Sequence, residues 1–175
     1  YLALEDGGKR LQKRMRALGW TNGGEYSVHF ETEIPPLHKA GGLNTLFLHL
    51  EREQFRLVVI DTIERSMPGA DKSDEKIMGP VYAQLQTMAI KRGLAILIID
   101  HLRKPNGLLS DPVDDVLGST AKTGIADTCI ALYKEQGKSG HSIRGRGRDV
   151  EDFDLKIQFD PMTACYQLIG DAGEI

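Results

Sequence analysis

"FRLVVIDTIERS", residues 55–66, sets the apolar run Leu57, Val58, Val59 and Ile60 against a single acid, Asp61. The run is too short for a helix and has no polar alternation. It suits a strand covered on both faces, as in a parallel sheet flanked by helices. Asp61 then stands at the carboxyl end of that strand, with Thr62 next. In open α/β sheets ligands gather at that end, and an acid there is placed to hold a metal ion beside a phosphate. It is equally placed to cap the following turn through its own side chain. The rest of the chain bears on the choice.

The chain has 175 residues, 41% hydrophobic and 27% charged, which is ordinary for a single globular domain with a core. Net charge is −3, so any basic surface must be local. Cys129 and Cys165 sit in apolar, strand-like contexts without metal-ligand spacing. They read as buried thiols, which fits a reducing, cytoplasmic setting. No apolar stretch approaches the roughly 18 residues of a membrane span and no signal peptide is visible, so no membrane contact is expected. The sequence opens on "YLALED", without Met and already in strand pattern. That reads as a domain whose amino-terminal part is missing.

Along the chain, residues 1–4 read as a strand ending at Glu5 and Asp6. "GGKRLQKRMRALG" follows as a basic helix with Leu11, Met15 and Leu18 on one face, stopped by Gly19. "EYSVHFET" reads as a strand, and residues 43–54 as a helix striped with Leu43, Leu46, Phe47 and Leu50. Residues 67–80 read as a loop with room for a helical turn, with Pro80 in the first turn of the next helix. Val81, Leu85, Met88 and Ala89 face the core there, and Gly93 ends the helix. "LAILIID" is a second buried strand ending in Asp100 and His101. A surface loop and a short helix near residues 114–122 lead to the strand "DTCIALYKE", and three antiparallel strands close the chain. The pattern predicts one α/β domain over residues 1–175, with a mostly parallel sheet and antiparallel carboxyl-terminal strands. Strands near 1–4, 26–31, 56–60, 94–99 and 128–133 are expected to share one sheet.

Three strands thus end in polar pairs: Glu5-Asp6, Asp61-Thr62 and Asp100-His101. Hydrolysis of a nucleoside triphosphate wants such a set: one acid for Mg²⁺, one carboxylate for the attacking water, one polar group at the γ-phosphate. Here the sequence resembles the RecA-type ATPase core, most closely the RepA-type hexameric replicative helicases and related mobile-element AAA-family ATPases. "YLALED" resembles that family's strand bearing the catalytic glutamate, and "LVVIDT" its Walker B strand. "LIIDHLRK" resembles its strand ending in a His pair near a Lys, with Asp100 in place of the first His. "LGSTAKTGIADTCIALYK" resembles its Gly-Ser segment before the next strand. Order and spacing match over roughly residues 1–170.

The resemblance implies ATP and Mg²⁺ as cofactors, hydrolysis at subunit interfaces of a homo-oligomer, a hexamer when complete, and single-stranded DNA as partner. It implies Glu5 as the water-orienting base, Asp61 near Mg²⁺ with Thr62 and Asp6 beside the nucleotide, and His101 at the γ-phosphate. On the residues alone, Glu5 can also be an acid leading a helix, and His101 a loop histidine. Two departures stand out. The phosphate-binding loop G-x-x-x-x-G-K-[ST] has no match; in "GSTAKTG" Lys122 follows no Gly, and "GGKR" fails the same motif, with Arg10 after Lys9. It belongs upstream of Tyr1, so the chain by itself is expected to be inactive. The family's arginine near the Gly-Ser segment is also absent, that stretch reading "GIADTC".

"IRGRGRD" places Arg144, Arg146 and Arg148 at alternate positions, hence on one face of a strand. The glycines between them leave room for a close approach on the other face. Such a row is either a solvated edge or an anion site. Because RecA-type motors reach a neighbour's γ-phosphate with a late-strand cation, the resemblance marks Arg146 and Arg148 as finger candidates. The basic helix reads as a solvated outer face rather than a DNA contact. A non-catalytic RecA-fold assembly or regulatory module is the alternative to a motor.

Overall fold

Leu57–Asp61 forms β2, the middle strand of a three-stranded parallel sheet. The computed structural model describes residues 1–20, 27–102, 111–115, 120–134 and 140–172. On one side of β2 lies β1 (Leu2–Ala3), with Ala3 opposite Asp61. On the other lies β3 (Ala95–Ile99), in register from Leu57↔Ala95 to Asp61↔Ile99. All three strands therefore run out at the same end. Glu31 adds a single parallel bridge to Leu2 beyond β1; of the strand expected at 26–31, that bridge is what the described residues form.

The chain divides into two compact units. The first comprises Tyr1–Gly8, Gly23–His101 and Leu117–Ala126. Its core is built where β2 meets two helices, α2 (Gly42–Arg52) and α4 (Glu75–Arg92). Ile60 is 0% exposed, and Leu43, Leu46, Leu50, Met78, Val81, Leu85 and Met88 close around it. Apolar spacing of three and four residues gives α2 and α4 these inward stripes. Gly42 opens α2 pressed against Pro36, whose carbonyl oxygen lies 2.0 Å from where a Cβ would stand.

α4 begins five residues before Pro80, not at it. Asp74 caps the helix, its Oδ1 accepting the Lys76 backbone N–H at 2.8 Å. That cap, with Met78 buried in the core, carries the helix back into the expected loop. The far end is as expected, Gly93 taking φ 61° where a Cβ would be strained. β3 is not buried throughout. Its residues alternate, Leu97 being 50% and Ile99 36% exposed, so one face of this strand is left open while Ile96 and Ile98 pack on the core.

The second unit holds a four-stranded antiparallel sheet, β4 (Thr128–Lys134), β5 (His141–Gly147), β6 (Phe153–Asp160) and β7 (Cys165–Asp171), in that order. The antiparallel ending is as expected, but residues 128–134 belong to it rather than to the parallel sheet. All seven β4 residues pair with β5, Thr128↔Gly147 through Lys134↔His141. One face of β4 stays open, with Ile130 and Leu132 about half exposed, whereas Ala131 is buried. Cys165 is exposed and Cys129 only half-buried, against the expectation of two buried thiols.

Helix α1 (Gly8–Ala17) belongs with this unit from Lys9 onward. At 100° per residue Lys9, Arg10, Lys13, Arg14 and Arg16 fall on one side and Leu11 opposite. Leu18 lies past the helix and is 57% exposed, so it does not join the inward face. The expected helix near 114–122 is present as two short pieces, α5 (Pro112–Asp115) and α6 (Thr120–Ile125). Gly118 and Ser119 fall outside the described residues.

Candidate active site

At the carboxyl end of the parallel sheet, Glu5, Thr62 and His101 come together. Glu5 lies two residues past β1, Thr62 directly after β2, and His101 two residues past β3. The Thr62 hydroxyl donates to Glu5 Oε1 at 3.0 Å. His101 Nε2 stands 3.9 Å from the same carboxylate oxygen. Thr62 is 2% exposed and also caps the four-residue helix α3 (Ile63–Ser66), accepting the Arg65 N–H. The capping reading of this turn is therefore met by Thr62.

Asp61 is set beside them by its last-in-strand position. Its Oδ2 accepts the Tyr1 hydroxyl, and the Asp61–Thr62 peptide is cis. Asp6 is 7% exposed. Around Glu5 and His101 lies a cleft of about 380 Å³, lined also by Glu64, Arg65, Lys72 and Lys122. Arg65 Nε approaches Glu5 Oε1 to 3.6 Å, and His101 Nε2 approaches Glu64 Oε2 to 3.8 Å. Lys72 Nζ sits 2.5 Å from Glu64 Oε2. That hydrogen bond holds the Glu64 carboxyl below its usual range, and Lys72, His101 and Arg65 charges add to it.

Glu64, Arg65 and Lys72 were not singled out from the sequence. Glu64 and Arg65 belong to the "IERS" turn, and a capped turn directly after a strand-end acid would have pointed to them. Lys72 arrives from a loop whose path no periodicity encodes. On its sequence Lys122 compares only with a phosphate-loop lysine, a match it fails. It is instead 2% exposed, with Nζ 2.5 Å from Asp100 Oδ2.

Donor chemistry tests the fit to Mg²⁺ and a polyphosphate. Among the described residues no three His, Cys, Asp or Glu converge as a cage. Asp61 stands as a single carboxylate, which suits Mg²⁺ held through water and substrate oxygens. Arg65, Lys72 and His101 line the cleft against Glu5 and Glu64, a balance that accommodates an anion, while the Lys122 charge at its wall is met by Asp100. The cleft residues fit a phosphate anion; Asp61, whose Oδ2 accepts the Tyr1 hydroxyl, stands at the strand end next to that lining and offers its other oxygen.

The arginines lie in the second unit. Arg146 Nε donates to Asp152 at 3.0 Å, and its Nη1 is 2.8 Å from Asp111. These acids raise its affinity for its proton, the Asp152 hydrogen bond most. Arg144 pairs with Asp154 at 2.9 Å, with its guanidinium 5.1 Å above the Tyr133 ring. Arg148 lies beyond the end of β5 and reaches Asp127 Oδ1 at 3.3 Å. The space beside Gly145 is taken by this chain's own Phe153, whose ring would lie 2.2 Å from an added Cβ. No open approach remains there for a ligand.

A family model described as an AAA domain matches residues 1–107. No curated protein matches the chain. Among the described residues no helix is long and apolar enough to cross a membrane.

Proposed function

The chain belongs to the AAA-domain family of P-loop ATPases, and on that premise we propose that it forms the hydrolytic half of an ATP site in a DNA-acting motor. The observation that carries this reading is the meeting of Glu5, Thr62 and His101 at one end of the parallel sheet. Bound ATP with Mg²⁺ supplies the reacting phosphoanhydride and neutralises charge on the phosphates. Glu5 orients the attacking water and takes its proton, while the Thr62 hydroxyl fixes the rotamer of the Glu5 carboxylate. Asp61 would help to hold Mg²⁺, with Asp6 and Thr62 on the nucleotide side, and His101 would supply a hydrogen-bond donor for the γ-phosphate.

The phosphate-binding loop lies outside residues 1–175 on this reading, because the chain contains no G-x-x-x-x-G-K-[ST] sequence. Backbone N–H groups and a lysine from such a loop supply most phosphate affinity. We therefore expect residues 1–175 alone to bind Mg-ATP negligibly. In the assembled protein, a homo-oligomer of the hexameric kind, Arg146 or Arg148 serves a neighbour's site. For that service Arg146 must leave Asp111 and Asp152, and Arg148 must leave Asp127.

The narrower reading is a replicative helicase of a plasmid, phage or integrated element, acting on single-stranded DNA. It rests on the motif order "YLALED", "LVVIDT", "LIIDHLRK". Mg-ATP turnover and duplex unwinding by the natural gene product containing this chain test it. Turnover stimulated by single-stranded DNA, with unwinding, is the expected result. Turnover without any DNA response would retire the helicase and leave the ATPase. Absence of turnover would favour a non-catalytic assembly module.

A further inference from the structure

Asp100 stands where a histidine would be matched, and Lys122 is a buried cation in a short helix. We propose that Asp100 and Lys122 form a positioning pair that fixes His101 for its contact with the γ-phosphate. The proposal rests on the ATPase reading above.

Both oxygens of Asp100 are in use. Oδ1 accepts the His101 backbone N–H at 2.8 Å, and Oδ2 takes Lys122 Nζ at 2.5 Å. The first contact fixes the backbone where β3 gives way to the loop. The second fixes the carboxylate itself from α6. Helix α6 is in turn tied to α4, where Gln86 Nε2 donates to the Ile125 carbonyl at 2.9 Å. α4 is anchored in the core through Met78, Val81 and Leu85. A continuous chain of contacts thus runs from the core, through Lys122 and Asp100, to the backbone of His101.

Stability alone does not explain the pair. The Lys122 and Asp100 side chains are 2% and 10% exposed, so both ions have lost most of their water. Buried pairs of this kind are often matched or bettered by apolar replacements, and are kept where they specify an arrangement. What this one specifies is the position of His101, whose exposed side chain has little packing of its own to hold it.

A double-mutant cycle in the natural gene product tests the claim. Lys122→Met should lower kcat by about 10²-fold, the scale of a small misplacement at a reacting centre, with nucleotide affinity unchanged. Lys122→Arg should keep most of the turnover. In a His101→Gln background, Lys122→Met should have no further effect. Equal losses in both backgrounds would assign the pair to general structure and overturn the proposal. So would a large rise in nucleotide Kd, which would make Lys122 a direct ligand contact. If Lys122→Met fails to fold, the neutral pair Asp100→Asn with Lys122→Met replaces it; failure of that variant to fold would also overturn the positioning role. Glu5→Gln and the unaltered protein, run alongside, separate the two readings: full turnover in Glu5→Gln would sink the role of Glu5, and no turnover in the unaltered protein would sink the ATPase assignment, neither being a failure of the pair.

Discussion

Thr62 donates its hydroxyl hydrogen to Glu5 Oε1 at 3.0 Å while accepting the Arg65 backbone N–H at 3.4 Å. One buried hydroxyl thus joins the exits of two neighbouring strands. Removing it without changing volume should free the Glu5 carboxylate to rotate. Thr62→Val is expected to lower kcat by roughly 10²-fold, within the span of a general-base contribution, at unchanged nucleotide affinity. Thr62→Ser should retain activity. A Thr62→Val enzyme with full kcat would remove Thr62 from the site.

Glu64 offers a pH test. Lys72 holds its carboxyl below the usual value near 4.5. A carboxyl depressed in the folded state contributes stability that is present above its unfolded value and lost as pH falls through the folded one. Melting temperature should therefore fall on acidification, and Glu64→Gln should flatten part of that fall. The difference should be small and shrink in high salt, because Glu64 is 45% exposed. Identical pH curves for both proteins would contradict it.

Ile60 is 0% exposed at the centre of the first unit's core. Ile60→Ala should cost about 2–5 kcal/mol of unfolding free energy, the range for emptying a packed aliphatic site. Chemical denaturation measures it, with a loss below about 1 kcal/mol counting against the packing described.

Gly145 is required by Phe153. An added Cβ would meet the Phe153 ring at 2.2 Å, on the β6 residue paired with Gly145. Gly145→Ala should destabilise by about 1–3 kcal/mol, as overpacking does. Combining it with Phe153→Leu should recover part of the loss. Additive losses in the double variant would show that the two residues do not press on each other.

Much of this was legible in the sequence where period and chemistry coincide. The run Leu57–Ile60 with Asp61, the stripe of α2 and the Gly93 stop all follow from local rules. So does the placement of Glu5, Asp61, Thr62 and His101 at one sheet end, because parallel strands exit together. Illegible parts depend on partners distant in sequence. Residues 128–134 read equally as a parallel or an antiparallel strand until β5 is laid beside them. Asp74 outcompeted Pro80 as the start of α4 through a side-chain contact that composition does not rank. Phe153 covering Gly145 and Lys122 holding Asp100 are likewise pairings that no short window contains.

The most direct measurement is Mg-ATP turnover by the natural gene product beside its Glu5→Gln variant, with nucleotide affinity determined separately for each. Glu5 as the water-orienting base predicts near-equal affinity and a kcat lowered by roughly 10²- to 10⁴-fold in the variant. Equal turnover by the two proteins would contradict the account.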